Sequence, residues 1–250
     1  MAQSDRGSLA DPDVAFDDRS PVGDDGTDGR LARARRRMID HDLAGRGVRD
    51  PRVLAAMAAV PRERFVDRLH TAEAYADRPL PIGRGQTISQ PLIVAMMAEA
   101  LSLRPTDRVL EIGTGSGYAA AVLGLLAAEV HTVERHAELA RSAAGRLADL
   151  GHRRVHVHAG DGTQGWAAAA PYDAVVVSAG AGHLPEALVD QLVVGGRLDV
   201  PLDTAEGWQR LDLLRRLQRG RWTRDDLGGV RFVPLVGATA GPEAARERWG

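Results

Sequence analysis

The chain has 250 residues, 44% hydrophobic and 26% charged, a balance typical of a soluble globular protein with room for one sizeable domain. It has no cysteine, which excludes disulfides, thiol catalysis and cysteine-ligated metal. There is no apolar run of membrane-spanning length, and aspartates stand where a secretory signal would need basic and apolar residues. The net charge of −2 does not advertise a nucleic-acid surface, so a cytoplasmic monomer without membrane or nucleic-acid partners is expected.

Residues 1–30 hold eight aspartates against three arginines and show almost no apolar periodicity. They cannot bury enough surface to offset ordering entropy and are expected to be a disordered acidic extension. Order is expected to begin near Leu31, where Leu31, Ala34, Met38 and Leu43 recur at helical spacing until Gly45–Gly47. Arg33, Arg35, Arg36 and Arg37 read as a solvated face of that helix. Asp50-Pro51 opens a second helix with Val53, Leu54 and Met57 on one face. Residues 60–88 read as a long loop, and a loop of that length inside a compact domain is usually functional. Ser89-Gln90-Pro91 then looks like the N-cap of a helix carrying Leu92, Ile93, Met96, Met97 and Leu101.

From Arg108 the rhythm changes. Strand-like runs at 108–112, 130–134, 154–158, 172–178 and 195–200 alternate with helical stretches at 117–127, 136–149 and 185–192. Such βαβ alternation predicts a mostly parallel sheet with helices on both faces. Two further runs, 209–217 and 229–236, predict a C-terminal hairpin that supplies an antiparallel edge.

Ligands in open α/β sheets bind at the carboxyl ends of the strands. Those ends read Glu111-Ile112-Gly113, Glu134-Arg135, Gly160-Asp161-Gly162 and Ser178-Ala179-Gly180. The first continues as Thr114-Gly115-Ser116-Gly117 into an alanine-rich helix, a tight turn feeding free N–H groups. A carboxylate at Glu111 repels a pyrophosphate and suits a cationic or hydroxyl-rich ligand. The glycine spacing is also one residue shorter than the dinucleotide fingerprint. Both features favour S-adenosylmethionine. Glu134 ends the second strand, where an acid can accept both hydroxyls of a ribose, and Asp161 ends the third, where it can face an adenine amine. The histidines offer no metal-ligand spacing on a helix. His156 and His158 share a strand face but show no third partner in the sequence, so no metal is expected.

Several segments resemble the protein-L-isoaspartate O-methyltransferase family. They are Ala59-Val60-Pro61-Arg62-Glu63-Arg64-Phe65-Val66, the run from Pro79 through Gly85-Gln86-Thr87-Ile88-Ser89-Gln90-Pro91, the 109–118 turn, and Val230-Arg231-Phe232-Val233-Pro234-Leu235-Val236. The likeness spans about residues 31–237. It implies a class I, Rossmann-like methyltransferase, with N-terminal helices and a lid loop at 31–107, the sheet at 108–237 and a short tail at 238–250. It also implies methyl transfer from S-adenosylmethionine, leaving S-adenosylhomocysteine, to the α-carboxylate of isoaspartyl residues in damaged proteins. By resemblance Ser89 is the active-site serine. The implied cofactor residues are Gln86, Thr87, Ile88, Glu111, Gly113, Thr114, Gly115, Gly117, Glu134, Arg135, Asp161 and Gly162. Trp166 falls in an Asp-Gly-x-x-Gly-Trp segment of the family and is expected to pack, and Gln209-x-Leu211 resembles an element at the start of the tail hairpin.

Two places depart from the family pattern. Ser178-Ala179-Gly180-Ala181-Gly182-His183 follows the fourth strand where Thr-Ala-Ala is usual, and Asp199 sits in a buried strand where an apolar residue is expected. The competing readings are a relative that methylates an aspartate of a biosynthetic peptide, a nicotinamide oxidoreductase, and a non-catalytic binding protein.

Overall fold

The computed structural model describes residues 26–218 and 220–238; most of the acidic extension and the tail beyond Ala238 lie outside it. Helix α1 (Thr27–Arg37) starts four residues earlier than the periodicity suggested. It runs on through a π-helical turn, Met38–Leu43, and a short 3-10 turn that ends at Gly47 with φ +109°. Its basic face is only partly solvated, since Arg35 bonds Tyr75 and Glu63. Helix α2 (Pro51–Ala59) is capped by Asp50, whose carboxylate accepts from the Arg52 amide. No helix among the described residues is long and apolar enough to cross a membrane.

Residues 60–88 are not the open loop the sequence suggested. Two 3-10 turns, Arg62–Phe65 and Arg68–Glu73, lead into an antiparallel hairpin of β1 (Leu80–Gly83) and β2 (Gln86–Ile88). Prolines at 79 and 81 mask these short strands in the sequence. The hairpin turn puts Arg84 and Gly85 at φ +54° and +69°, and Arg84 pairs with Glu138. Helix α3 (Pro91–Ala100) follows.

The main sheet contains β3 (Arg108–Ile112), β4 (Glu129–Glu134), β5 (Val155–Ala159), β6 (Tyr172–Val177), β7 (Leu192–Asp203), β8 (Gln209–Gln218) and β9 (Arg221–Val230), in the order β5-β4-β3-β6-β7-β8-β9. The first five in that order run parallel, and β8 is antiparallel to both of its neighbours. Helices α4 (Tyr118–Leu126), α5 (Ala137–Asp149) and α6 (Glu186–Asp190) make the connections. Two apolar clusters cover the two faces. One gathers Val109, Val130, Ala174, Val176 and Leu213 with α3 and α4, and the other gathers Leu110, Ile112, Val175, Val177 and Leu198. The chain leaves β3 for β4 and β5, then returns to β6 on β3's other side, so the switch point falls between β3 and β6.

The last strand is misplaced in the sequence reading. The apolar run 229–236 looks like the strand, yet the ladder uses the charged segment 221–230. Residues 231–236 instead lie against Gly180, through Gly180 N to Val233 O at 2.8 Å and a bridge at Pro234. An edge strand needs only backbone pairing, so its side chains can be charged. Asp199 is fully buried and neither carboxylate oxygen has a hydrogen-bond partner among the described residues. Burial, with Asp212 adding repulsion, pushes its carboxyl well above the usual range. The histidines also depart from expectation: parallel pairing of β4 with β5 sets His131 beside His156 and within 3.0 Å of His158.

Candidate active site

The glycine turn after β3 is built as the sequence implied. Gly113, Gly115 and Gly117 all hold positive φ, +93°, +52° and +90°, which side chains other than glycine rarely adopt. Gly117 also lets α4 meet α5, because a Cβ there would lie 3.2 Å from Leu147 and 3.3 Å from Ala143. At the switch point Gly113 faces Ser178, and Gly162 sits so close to Ile112 that a Cβ would fall 2.5 Å from it.

Two adjoining cavities, sharing Thr87, Gly113, Gly115 and Ser178 in their walls, open at these strand ends. The larger is lined by Gln86, Thr87, Gly113, Gly115, Glu134, Arg135, Gly162 and Ser178, and its far wall is Val233-Pro234-Leu235-Val236. The smaller is lined by Thr87, Ile88, Ser89, Glu111, Gly113, Thr114 and Ser178. The structure therefore brings together the lid residues and the tips of β3, β4 and β6, as expected. Gly117 and Asp161 stand behind the walls.

The three acids are held in different states. Glu111 is fully buried, with one oxygen accepting from Thr132 Oγ1 at 2.6 Å and the other unpartnered among the described residues; Thr132 in turn lies 2.6 Å from Thr114 Oγ1. Burial pushes its carboxyl up to about 8 against the pull of the Thr132 hydrogen bond, and the Glu134 charge adds to the rise. Glu134 accepts from the amides of Gly115 and His136, each at 2.9 Å. A carboxylate has about four lone-pair sites, so two remain for a ligand in the cavity. Asp161 accepts from the Thr163 amide and hydroxyl on one oxygen and from the Ala238 amide at 2.7 Å on the other. Burial works to raise its carboxyl, but these hydrogen bonds outweigh it and hold the group below the usual range.

Ser89 does not cap α3. The N-cap is Gln90, which makes no side-chain cap bond, while Asp77 accepts from the Leu92 amide at 3.1 Å and from Gln90 Nε2 at 2.6 Å. Among the described residues the Ser89 hydroxyl has no hydrogen-bond partner. The residue is held instead by its carbonyl, which accepts from Arg62 Nη2 at 2.9 Å. Arg62 is fully buried, also bonds Ala74 O at 2.7 Å, and lies 4.8 Å over the Tyr118 ring. Sequence reasoning missed this positioning role of Arg62, although the Pro61-Arg62-Glu63 run had been singled out. It also missed the wall at 233–236.

The departure after β6 has a steric reason. A Cβ at Gly180 would fall 2.0 Å from Gln209 Nε2, and Gln209 Oε1 accepts from the Phe232 amide at 2.6 Å. Gly180 thus makes room for the glutamine that ties 231–235 over the cavity. Outside the cavities an open groove runs along Thr87, Ser89, Trp208, Arg231 and Phe232, sharing Thr87 and Ser89 with the smaller cavity.

Comparison with known proteins points the same way. The family model for protein-L-isoaspartate(D-aspartate) O-methyltransferase matches residues 33–240. The chain is 58% identical over 201 residues to protein-L-isoaspartate O-methyltransferase 2 of Pelobacter propionicus, covering 80% of this chain and 89% of that one. It is 56% identical over 201 residues to the Rhodopseudomonas palustris enzyme, covering 80% and 92%. Among solved structures, a protein-L-isoaspartate O-methyltransferase superposes with a TM-score of 0.75 at 29% identity, over 83% of this chain and 67% of that one. A Plasmodium falciparum protein described as a putative member and solved with S-adenosyl-L-homocysteine superposes with a TM-score of 0.69 at 24% identity, over 81% and 98%, a likeness of fold. With the glycine turn, the lid serine and the sheet order in place, and a family match over most of its length, the chain belongs to the protein-L-isoaspartate(D-aspartate) O-methyltransferase family.

Proposed function

We propose that the larger cavity binds S-adenosylmethionine and that the chain methylates the free α-carboxylate of L-isoaspartyl residues in damaged proteins, releasing S-adenosylhomocysteine. The observation that carries this reading is the uncommitted Ser89 hydroxyl, in one small cavity with Glu111, Gly113 and Thr114. The donor set suits the cofactor. Glu134 keeps two lone pairs for ribose hydroxyls, and a cofactor ammonium beside the buried Glu111 oxygen that Thr132 leaves free would favour its ionised, accepting form. Gly162 leaves the adenine side open where a side chain would not fit. Asp161 supports that side through the 237–238 backbone and keeps one lone pair, on the oxygen that accepts from the Ala238 amide.

The cofactor supplies a methyl group already activated on a sulfonium. The substrate carboxylate, with a pKa of about 4, is ionised at neutral pH, so neither a general base nor a metal is needed. The oxygen attacks the methyl carbon as the carbon–sulfur bond breaks, and opposite charges on the two partners disappear. Water stabilises those charges and therefore slows the step. What the protein contributes is alignment of the reacting atoms within about 3–3.5 Å, and dryness. Ser89 donates a hydrogen bond that orients the carboxylate. The β1–β2 hairpin excludes water by packing Ile82 over the glycine turn, 3.2 Å from where a Gly115 Cβ would stand. The groove holds the flanking peptide, with Arg231 placed to attract its charge. The ester carbonyl is a better electrophile than the carboxylate it replaces, so the next backbone amide nitrogen attacks it, methanol leaves, and the resulting succinimide hydrolyses to return some normal aspartate.

Radiolabelled methyl transfer to an isoaspartyl peptide and to its aspartyl twin tests this reading. Methylation of the first and not the second is expected. Equal rates, or preference for the aspartyl form, would move the substrate to another carboxylate.

A further inference from the structure

We propose that Glu129, His131 and His156 form a binding site for a divalent transition-metal ion of the zinc type, at the β4–β5 edge and away from the methyl-transfer cleft. Glu129 and His131 lie two apart on β4 and so share a face, and the parallel register pairs His131 directly with His156 on β5. Their ligand atoms all lie within 4.8 Å of one another. Glu129 Oε1 is 3.1 Å from His131 Nε2 and 3.3 Å from His156 Nε2. Tetrahedral zinc with bonds of about 2.0–2.1 Å separates neighbouring ligands by roughly 3.3–3.4 Å. Two edges of the site are therefore close to coordination length, and rotation of the half-exposed His156 ring closes the third.

The surroundings support ligation rather than simple ion pairing. His131 Nε2 is buried and has no hydrogen-bond partner among the described residues, with Glu129 Oε1 3.1 Å away. His131 Nδ1 is 3.0 Å from His158 Nε2. When Nδ1–H is donated to His158, the Nε2 lone pair faces the carboxylate, an arrangement a cation between them would stabilise. His158 is fixed in turn by stacking on Trp166 at 3.9 Å, and Arg108 Nε holds the other Glu129 oxygen at 3.1 Å. Such outer partners commonly orient the ligands of a built metal site. Exposure of His156 leaves the fourth position to water, and the bound ion would staple the edge strand β5 to β4.

Isothermal titration of the full chain with ZnCl2 tests the proposal, with MgCl2 as the hard-cation control. One saturable zinc site of micromolar or tighter affinity is expected, with a rise in Tm and no magnesium binding. The Co2+ form should show the intense visible absorption of a four-coordinate site. Glu129→Gln and His156→Asn, both at partly exposed positions, should each weaken zinc at least tenfold while S-adenosylhomocysteine binding reports an intact fold. His158→Phe, which keeps the stack and removes the acceptor, should weaken it by about 10-fold or more. Absence of saturable zinc binding, or wild-type zinc affinity in either ligand variant, would overturn the proposal.

Discussion

Replacing Glu111 with glutamine tests whether the acid beneath the glycine turn is carried as a neutral group. The folded protein holds this carboxyl at about 8 against an ordinary value of 4.5. A folded-state pKa above the unfolded one means that the proton favours folding. The associated stability is complete below about pH 4.5 and is lost as pH rises toward 8. Each pH unit inside that window costs about 1.4 kcal/mol, so the whole window is worth about 5 kcal/mol. Glutamine keeps the shape and the acceptor for Thr132 Oγ1 but does not ionise. Urea unfolding at pH 5, 6, 7 and 8 should therefore give the wild type a steep decline and the variant a flatter one. The variant should be the more stable protein at pH 8, with an unchanged m-value. Asp199, also raised, leaves a residual slope in both proteins. Parallel curves across pH 5–8 would mean that Glu111 ionises normally, and the account of the buried Glu111–Thr132–Thr114 chain would fail.

Four further outcomes follow from the same geometry. Ser89→Ala should lower kcat by roughly 100-fold, the cost of one well-placed donor, with S-adenosylhomocysteine affinity unchanged by calorimetry; near-normal turnover would deny the serine a part in the chemistry. Arg62→Met fills a similar volume but releases the Ser89 carbonyl, so kcat should fall while cofactor affinity holds; a loss of stability with kcat intact would make Arg62 purely structural. Glu134→Ala should weaken S-adenosylhomocysteine by roughly 100-fold, as two charge-assisted hydrogen bonds of about 1.5 kcal/mol each would suggest, and unchanged affinity would remove the ribose role. Asp77→Ala should cost about 1 kcal/mol of stability in denaturant unfolding through the lost cap of α3; no change would return the cap to another residue.

What the sequence revealed depended on how far each element's pattern was its own. The β3 strand and its turn are legible because a buried parallel strand is a continuous apolar run, and the positive φ values after it demand glycine at fixed places. β9 was misplaced because its ladder needs only backbone, whereas the apolar residues that mimic a strand at 231–236 wall a cavity. The hairpin at 80–88 was hidden by its prolines and by a turn that uses Arg84 where glycine or asparagine is commoner. Asp161 and Glu134 were located correctly at strand ends, but their bonds to Thr163, Ala238, Gly115 and His136 belong to the tertiary structure. The Glu129–His131–His156 cluster was out of reach for a similar reason. Period two is visible within each strand, but which histidine faces which is decided by the register between strands.

The placement of Asp77 explains how the Ser89 hydroxyl can be left free for its proposed role. A serine two residues before a helix proline would normally spend its hydroxyl on the orphan amides of the first turn. Here Asp77, brought in by the 3-10 turns that follow Arg62, accepts from Leu92 N and fixes Gln90 as well. Arg62 meanwhile holds Ser89 through its carbonyl, leaving the side chain untouched. Backbone position and helix start are thus secured by two other residues, and the hydroxyl is left uncommitted beside the glycine turn. The segment from Pro61 to Pro91 acts as one device: its buried Arg62 and its Asp77 set the backbone geometry and leave the Ser89 hydroxyl free. Damage to stability and damage to turnover should therefore separate between Asp77 and Ser89, and Arg62, which holds the backbone without touching the hydroxyl, links the two.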